Sequence, residues 1–216
     1  MSDKPAFVRQ LPRLTQAKIN EIAVAYRREA ESLRAVDEMV GRMYDALRES
    51  GELDNTIFVF ASDNGFSHGE HRWPTGKVRV YDEVVRVPLI VRGPGFAAGR
   101  QVTDPVINID VAPTLVARSG ATPGRVMDGR SLLDRDRSRP ILFEAQHSID
   151  PYFGVQSGRW VWVEYANGEK ELYDMVNDPY QLASRHKDPS LMSLRKDLAD
   201  LLAQLKTCTG DSCRAP

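Results

Sequence analysis

Thr56-Ile57-Phe58-Val59-Phe60-Ala61 is a continuous apolar, β-rich run that ends abruptly in the polar loop Ser62-Asp63-Asn64-Gly65-Phe66-Ser67-His68-Gly69-Glu70-His71-Arg72-Trp73-Pro74-Thr75-Gly76-Lys77. A strand with one wet face alternates. An unbroken apolar run is instead expected to be buried on both faces, as at the centre of a parallel sheet. Upstream, Ile19, Ile22, Tyr26, Leu33, Val36, Val40 and Leu47 recur at helical spacing between Thr15 and Ser50. That spacing predicts one long amphipathic helix with a buried stripe, terminated at Gly51. Its charged residues, Glu29 among them, form the expected solvated face. Helix, apolar strand and polar loop in this order point to an open α/β sheet.

Downstream, Val87–Val91 reads as a second strand, closed by the turn Arg92-Gly93-Pro94-Gly95. Residues 108–119 read as a helix with Asn108 or Asp110 as cap and Gly120 as terminator. A third short strand is expected at 141–144. From about residue 150 the pattern changes to alternation: 155–158 and Trp160–Tyr165, then the turn pair Asn167-Gly168 leading into 170–173. This predicts an antiparallel, hairpin-rich patch, closed by a last helix over about 189–205. Two parts are expected, an α/β segment over 1–145 and a small antiparallel α+β subdomain over 146–216.

The 216 residues carry 29 basic and 30 acidic side chains, a net charge of −1, which argues against a nucleic-acid clamp and against a polybasic membrane anchor. Hydrophobic residues at 42% suffice for a core, and no apolar run approaches the twenty residues of a membrane span. The first residues, MSDKPAFVRQLPRL, are too polar and proline-rich for a secretory signal, so localisation stays open. Cys208 and Cys213, separated by Thr209-Gly210-Asp211-Ser212, are placed for a small disulfide loop, which would suggest an exported protein; two free thiols at a frayed end are the alternative.

The loop at 62–77 concentrates the reactive chemistry at the carboxyl end of the apolar strand, where open α/β sheets bind ligands. Asp63 and Asn64 offer one charged and one neutral oxygen donor, a set suited to a hard cation such as Ca2+ or Mg2+. Asp-Asn-Gly is also a common turn. His68-Gly69-Glu70-His71 invites a zinc reading but lacks the helical H-E-x-x-H spacing. Lys77 can set an ammonium beside an anion held at the metal, or be a solvated surface lysine. Gly93-Pro94-Gly95 departs from the dinucleotide fingerprint and reads as a turn. Trp160 and Trp162 are expected in the core, and the isolated His147 and His186 in structural or surface positions.

Together the segments FVFASDNGFSHGEHRWPTGK, VRVYDEVVRVPLIVRGPG, PVINIDVAPTLVARSGA, MDGRSLL and ELYDMVNDPYQL resemble the C-terminal half of a type I sulfatase, within the alkaline phosphatase superfamily. The set is most similar to N-acetylglucosamine-6-sulfatases and arylsulfatases. The resemblance implies an alkaline-phosphatase-like sandwich with a mainly parallel central sheet and a C-terminal antiparallel subdomain. It implies Asp63 and Asn64 as calcium ligands, Lys77 as a sulfate contact, and His68 and His71 near the same lip with their roles open. The substrate implied is a sulfated small molecule or sugar sulfate.

The family's nucleophile lies in a C/S-x-P-x-R motif, and neither Cys208, Cys213 nor any serine here sits in one. The aspartate pair that completes the family's calcium site, its motif arginine and its upstream lysine and histidines are missing as well. The chain therefore resembles half of an enzyme, expected to be inactive alone. It should expose apolar surface that a homo-oligomer or a separately supplied N-terminal half would cover. A phosphodiesterase or phosphonate hydrolase of the same superfamily, and a non-catalytic binding domain on the same scaffold, are the alternative readings.

Overall fold

Every strand pair in the computed structural model is antiparallel among the described residues, which are 3–134, 139–146 and 150–214. In chain order the elements are α1 (Ala6–Arg9), α2 (Gln16–Glu49), β1 (Phe58–Ala61), α3 (Asp82–Val85), β2 (Leu89–Arg92), α4 (Val111–Ser119), β3 (Ile141–Ala145), β4 (Tyr152–Ser157), β5 (Trp160–Tyr165), β6 (Lys170–Asp174) and α5 (Met192–Leu205). They fall into two units, one from the described residues of 1–9, 78–85 and 101–216, the other from 10–77 and 86–100.

The second unit is built on α2. Thr15 caps it by accepting the Lys18 amide at 3.2 Å, and Gly51, left-handed at φ 77°, follows its end as expected. The expected buried stripe is not found: of the helix residues only Ile22 is buried, while Tyr26 is 57% and Leu33 58% exposed. Periodicity reveals that one face is apolar and says nothing of what covers it.

The α/β class is as expected, but the strand direction differs. β1 pairs antiparallel with β2 in a two-stranded sheet, Phe58 opposite Arg92 and Ala61 opposite Leu89. Phe58 and Val59 are half-buried, and Phe60 and Ala61 are exposed. A parallel return needs a crossover long enough to cross the sheet face, usually a helix. Between β1 and β2 the helical pieces are only the 3₁₀ turn Glu70–Arg72 and the four-residue α3.

The first unit holds a four-stranded meander in the order β3-β4-β5-β6. The strand expected at 141–144 forms as β3 and joins this sheet. Alternation along β5 divides its residues between two cores. Trp162, with Val155 of β4 and Leu172 of β6, packs on Leu198, Leu202 and Leu205 of α5. Val161, Val163 and Tyr165 face the other way, onto Tyr173, Val8, Val80 and Tyr81. Each fully buried leucine contributes about 2 kcal/mol by area. His186 bonds Ser184 through Nδ1 at 2.9 Å, and burial lowers its pKa. His147 lies outside the described residues.

Two buried polar junctions pin this unit. Glu171 of β6 accepts the hydroxyls of Tyr81 (3.1 Å), Tyr165 (2.8 Å) and Tyr173, and stands 3.7 Å from the Lys4 ammonium. Lys4 donates to Tyr173 Oη at 2.7 Å and to the Gln181 carbonyl. Neither Lys4 nor Glu171 has an exposed side chain. Burial lowers the Lys4 pKa to about 8, and it raises those of Tyr81, Tyr165 and Tyr173 well above their ordinary value.

The second junction joins PVINIDVAPT to MDGRSLL. The Asp110 carboxylate, 2% exposed, accepts the amides of Ile107 (3.0 Å) and Arg130 (2.9 Å) and pairs with the Arg139 guanidinium. Gly129 passes so close to the helix start that a Cβ there would lie 2.1 Å from the Ile109 carbonyl oxygen. Thr114 Oγ1 donates to the Asp110 carbonyl and accepts the Leu132 amide at 2.7 Å.

Candidate functional site

The loop that leaves β1 turns at once. Ser62 Oγ donates to the Asn64 carbonyl at 2.8 Å, and Asn64 Nδ2 donates to the Gly65 carbonyl at 2.9 Å. The buried Ser67 then donates its amide to the Gly76 carbonyl at 2.8 Å, closing residues 67–76 with one antiparallel bridge. With that bridge made, Lys77 Nζ reaches Asn64 Oδ1 at 3.2 Å across thirteen positions of sequence. Asn64 is half-buried, while Asp63 and Lys77 are exposed. The carboxamide and the ammonium therefore meet just beyond the end of β1, with the Asp63 carboxylate as the preceding residue.

The two histidines separate. His68 Nε2 lies 2.7 Å from Glu29 Oε2 of α2, and its ring meets the Tyr26 ring edge-on at 5.0 Å. Glu29, assigned by spacing to the solvated face, is thus the partner of His68, and no local pattern links residues 39 positions apart. An open groove of about 650 Å³ runs between Leu14, Ile19, Ile22 and Tyr26 on one side and His68–Glu70 on the other. His71 is buried and left-handed at φ 52°; the half-buried Arg72 (φ 66°) and the exposed Val78 (φ 67°) are left-handed too. Non-glycine residues in this region cost of order 1–3 kcal/mol each and cluster at functional sites. The Arg72 guanidinium donates to the Leu11 carbonyl at 3.1 Å, tethering this strained stretch to the segment before α2.

The oxygen donors Asp63 and Asn64 match a hard cation in kind. Calcium takes about six to eight oxygens. Among the described residues no group of three or more His, Cys, Asp or Glu is arranged to hold a metal ion. Two side chains alone fall short of that number. No helix among the described residues is long and apolar enough to cross a membrane.

Two family models match the chain: Sulfatase over residues 7–121, and the C-terminal region of N-sulphoglucosamine sulphohydrolase over 69–208. An arylsulfatase of Volvox carteri is 32% identical over 257 aligned residues, covering 100% of this chain and 39% of the relative. An N-acetylglucosamine-6-O-sulfatase of Bacteroides thetaiotaomicron is 33% identical over 79% of this chain and 33% of its own length. A solved structure of a protein in complex with its substrate D-glucosamine-2-N,6-O-disulfate matches at a TM-score of 0.74 and 30% identity, over 84% of this chain and 39% of that one. The chain thus spans about two fifths of the length of such relatives. Its fold is a fragment of the alkaline-phosphatase-like fold of these enzymes.

Proposed function

The chain belongs to the sulfatase family, and on that premise we propose that it furnishes one side of a sulfuric-ester hydrolase site, with Asp63 and Asn64 as ligands of Ca2+ and Lys77 as the contact to sulfate. The observation that carries this reading is the 3.2 Å approach of Lys77 Nζ to Asn64 Oδ1 at the end of β1. An ammonium held beside an oxygen that would ligate the metal is placed to pair with an anion bound at that metal. Calcium would supply fixed positive charge to the sulfuryl oxygens, where charge develops in the transition state. Lys77 adds a second positive partner on the same face. His71, buried in the strained stretch of this loop, shapes the lip of the site, whereas His68 is committed to Glu29.

No C-x-P-x-R or S-x-P-x-R motif occurs in the 216 residues, so the nucleophile has to be supplied by another polypeptide segment. A second copy of the chain would bring no such motif. The fitting partner is the N-terminal portion of a sulfatase, seated on the apolar surface left by Ile19, Leu33 and Met43 of α2 and Phe60 and Ile90 of the two-stranded sheet. The substrate class we infer is a sugar sulfate.

The test is aryl-sulfate and glucosamine-6-sulfate hydrolysis by the chain alone and after adding an N-terminal sulfatase portion. Alone it should be silent. In the assembled enzyme Asp63→Ala and Lys77→Ala should each lower kcat/KM by about 10²-fold or more while circular dichroism stays unchanged. Wild-type turnover in either variant overturns the assignment. Zinc or manganese in place of calcium on metal analysis would move the reading to a phosphoester or phosphonate hydrolase.

A further inference from the structure

Beyond α5 the chain forms a small closed structure whose contacts reach the MDGRSLL segment. Cys208 and Cys213 are joined in a disulfide around the 3₁₀ turn Gly210–Cys213. Inside the ring, the Thr209 amide donates to Ser212 Oγ at 2.9 Å and Ser212 Oγ donates to the Thr209 carbonyl at 2.8 Å. Gly210 is buried and left-handed, φ 56°, and its amide donates to Asp128 Oδ1 at 2.6 Å. A Cβ on Gly210 would stand 2.6 Å from Val126 Cγ1, so the ring is seated directly on that side chain. Arg214 donates to the Met127 carbonyl from beyond the ring.

We propose that the Cys208–Cys213 disulfide is a redox-operated clasp that holds the end of the described chain on Val126–Asp128 and, through it, keeps the Asp110 junction closed. Asp128 precedes Gly129, which abuts the Ile109 carbonyl, and Arg130, whose amide donates to Asp110. Of the ring residues only Cys208 packs against the apolar core, so the docking rests on hydrogen bonds made by a short segment. Such a segment frays unless it is tied down. The covalent ring removes the open conformers and presents the Gly210 amide to Asp128 ready-made.

Opening is ordinary thiol–disulfide exchange. A thiolate of a dithiol attacks one sulfur, the other Cys sulfur leaves as a thiolate and takes a proton, and a mixed disulfide forms. The dithiol's second thiolate then resolves it, so that two electrons pass to the protein, Cys208 and Cys213 become thiols and the dithiol becomes a cyclic disulfide. Both cysteines are half-buried and hence open to this attack. In an oxidising compartment the clasp stays shut, and in a reducing one it opens.

The experiment is hydrogen exchange on the full chain with and without excess dithiothreitol, the thiol count followed by intact mass. On reduction, amides of Gly210 and Arg130 should exchange about tenfold faster or more, with those of β4, β5 and β6 unchanged. The Cys208→Ser/Cys213→Ser double variant should match the reduced protein without reductant. Unchanged exchange at Gly210 and Arg130 in both preparations overturns the clasp. So does equal acceleration throughout the sheet, which would make the disulfide a fastener of the whole fold.

Discussion

Replacing Asp110 by alanine tests the junction that joins the PVINIDVAPT and MDGRSLL segments. The substitution removes the acceptor for the Ile107 and Arg130 amides and the counter-charge of Arg139, all at a carboxylate 2% exposed. An amide orphaned in the interior costs about 1–3 kcal/mol, and a buried ion pair broken on one side about 3–5 kcal/mol in all. The penalties overlap, so the expected loss is about 3–5 kcal/mol. At about 2–4 °C per kcal/mol for a chain of this length, Tm should fall by about 6–20 °C. Thermal and urea unfolding followed by circular dichroism and by the fluorescence of Trp160 and Trp162 would measure it. Asp110→Asn keeps one oxygen and the shape, and should lose roughly half as much. A destabilisation below about 1 kcal/mol for Asp110→Ala would show that these hydrogen bonds are incidental and the reasoning wrong.

The Lys4–Glu171 cluster makes stability depend on alkaline pH in two opposing ways. Lys4 titrates at about 8 when folded against an ordinary 10.5, so between these values the unfolded chain binds more protons and stability rises with pH. Tyr81, Tyr165 and Tyr173, raised by burial, lose stability above pH ~10 as the unfolded tyrosines ionise. Urea midpoints should therefore climb from pH 8 and turn over near 10, and Lys4→Met should erase the climb but leave the fall; a Lys4→Met profile parallel to wild type would refute the assignment. Separately, the uncovered stripe of α2 predicts strong binding of anilinonaphthalene sulfonate by the isolated chain, suppressed several-fold by Leu33→Lys with Met43→Lys. Equal dye fluorescence in that variant would place the exposed surface elsewhere.

Local grammar in the sequence is enough for the longer elements, but not for the four-residue helices α1 and α3, too short to show a period. Spacing of Ile19 through Leu47 and the stop at Gly51 mark α2, while alternation from Trp160 and the Asn167-Gly168 turn mark the hairpin of β5 and β6. Phe58–Ala61 was legible as a strand but not in its pairing, because an unbroken apolar run is compatible with a buried parallel strand and with a half-exposed antiparallel one. The approach of Lys77 to Asn64 could be suspected from their shared short loop. Its closure by Ser67 and Gly76 could not, since that hydrogen bond is made by backbone atoms any residue carries. Glu171 reads as one more charge on an alternating strand, and its burial depends on Tyr81, 90 positions away, and on Lys4 near the other end of the unit's sequence, as well as on the nearby Tyr165 and Tyr173. The relation of His68 to Glu29 is of the same non-local kind.

The distance along the chain between Lys4 and its partners sets a timetable for synthesis. Tyr173 lies 169 positions after Lys4. A ribosome adding about 5–20 residues per second needs roughly 10–30 s to make that stretch. Throughout that interval a lysine destined for a waterless interior lacks part of the interior it will enter, so the segment around Lys4 must wait for β6 before it can dock.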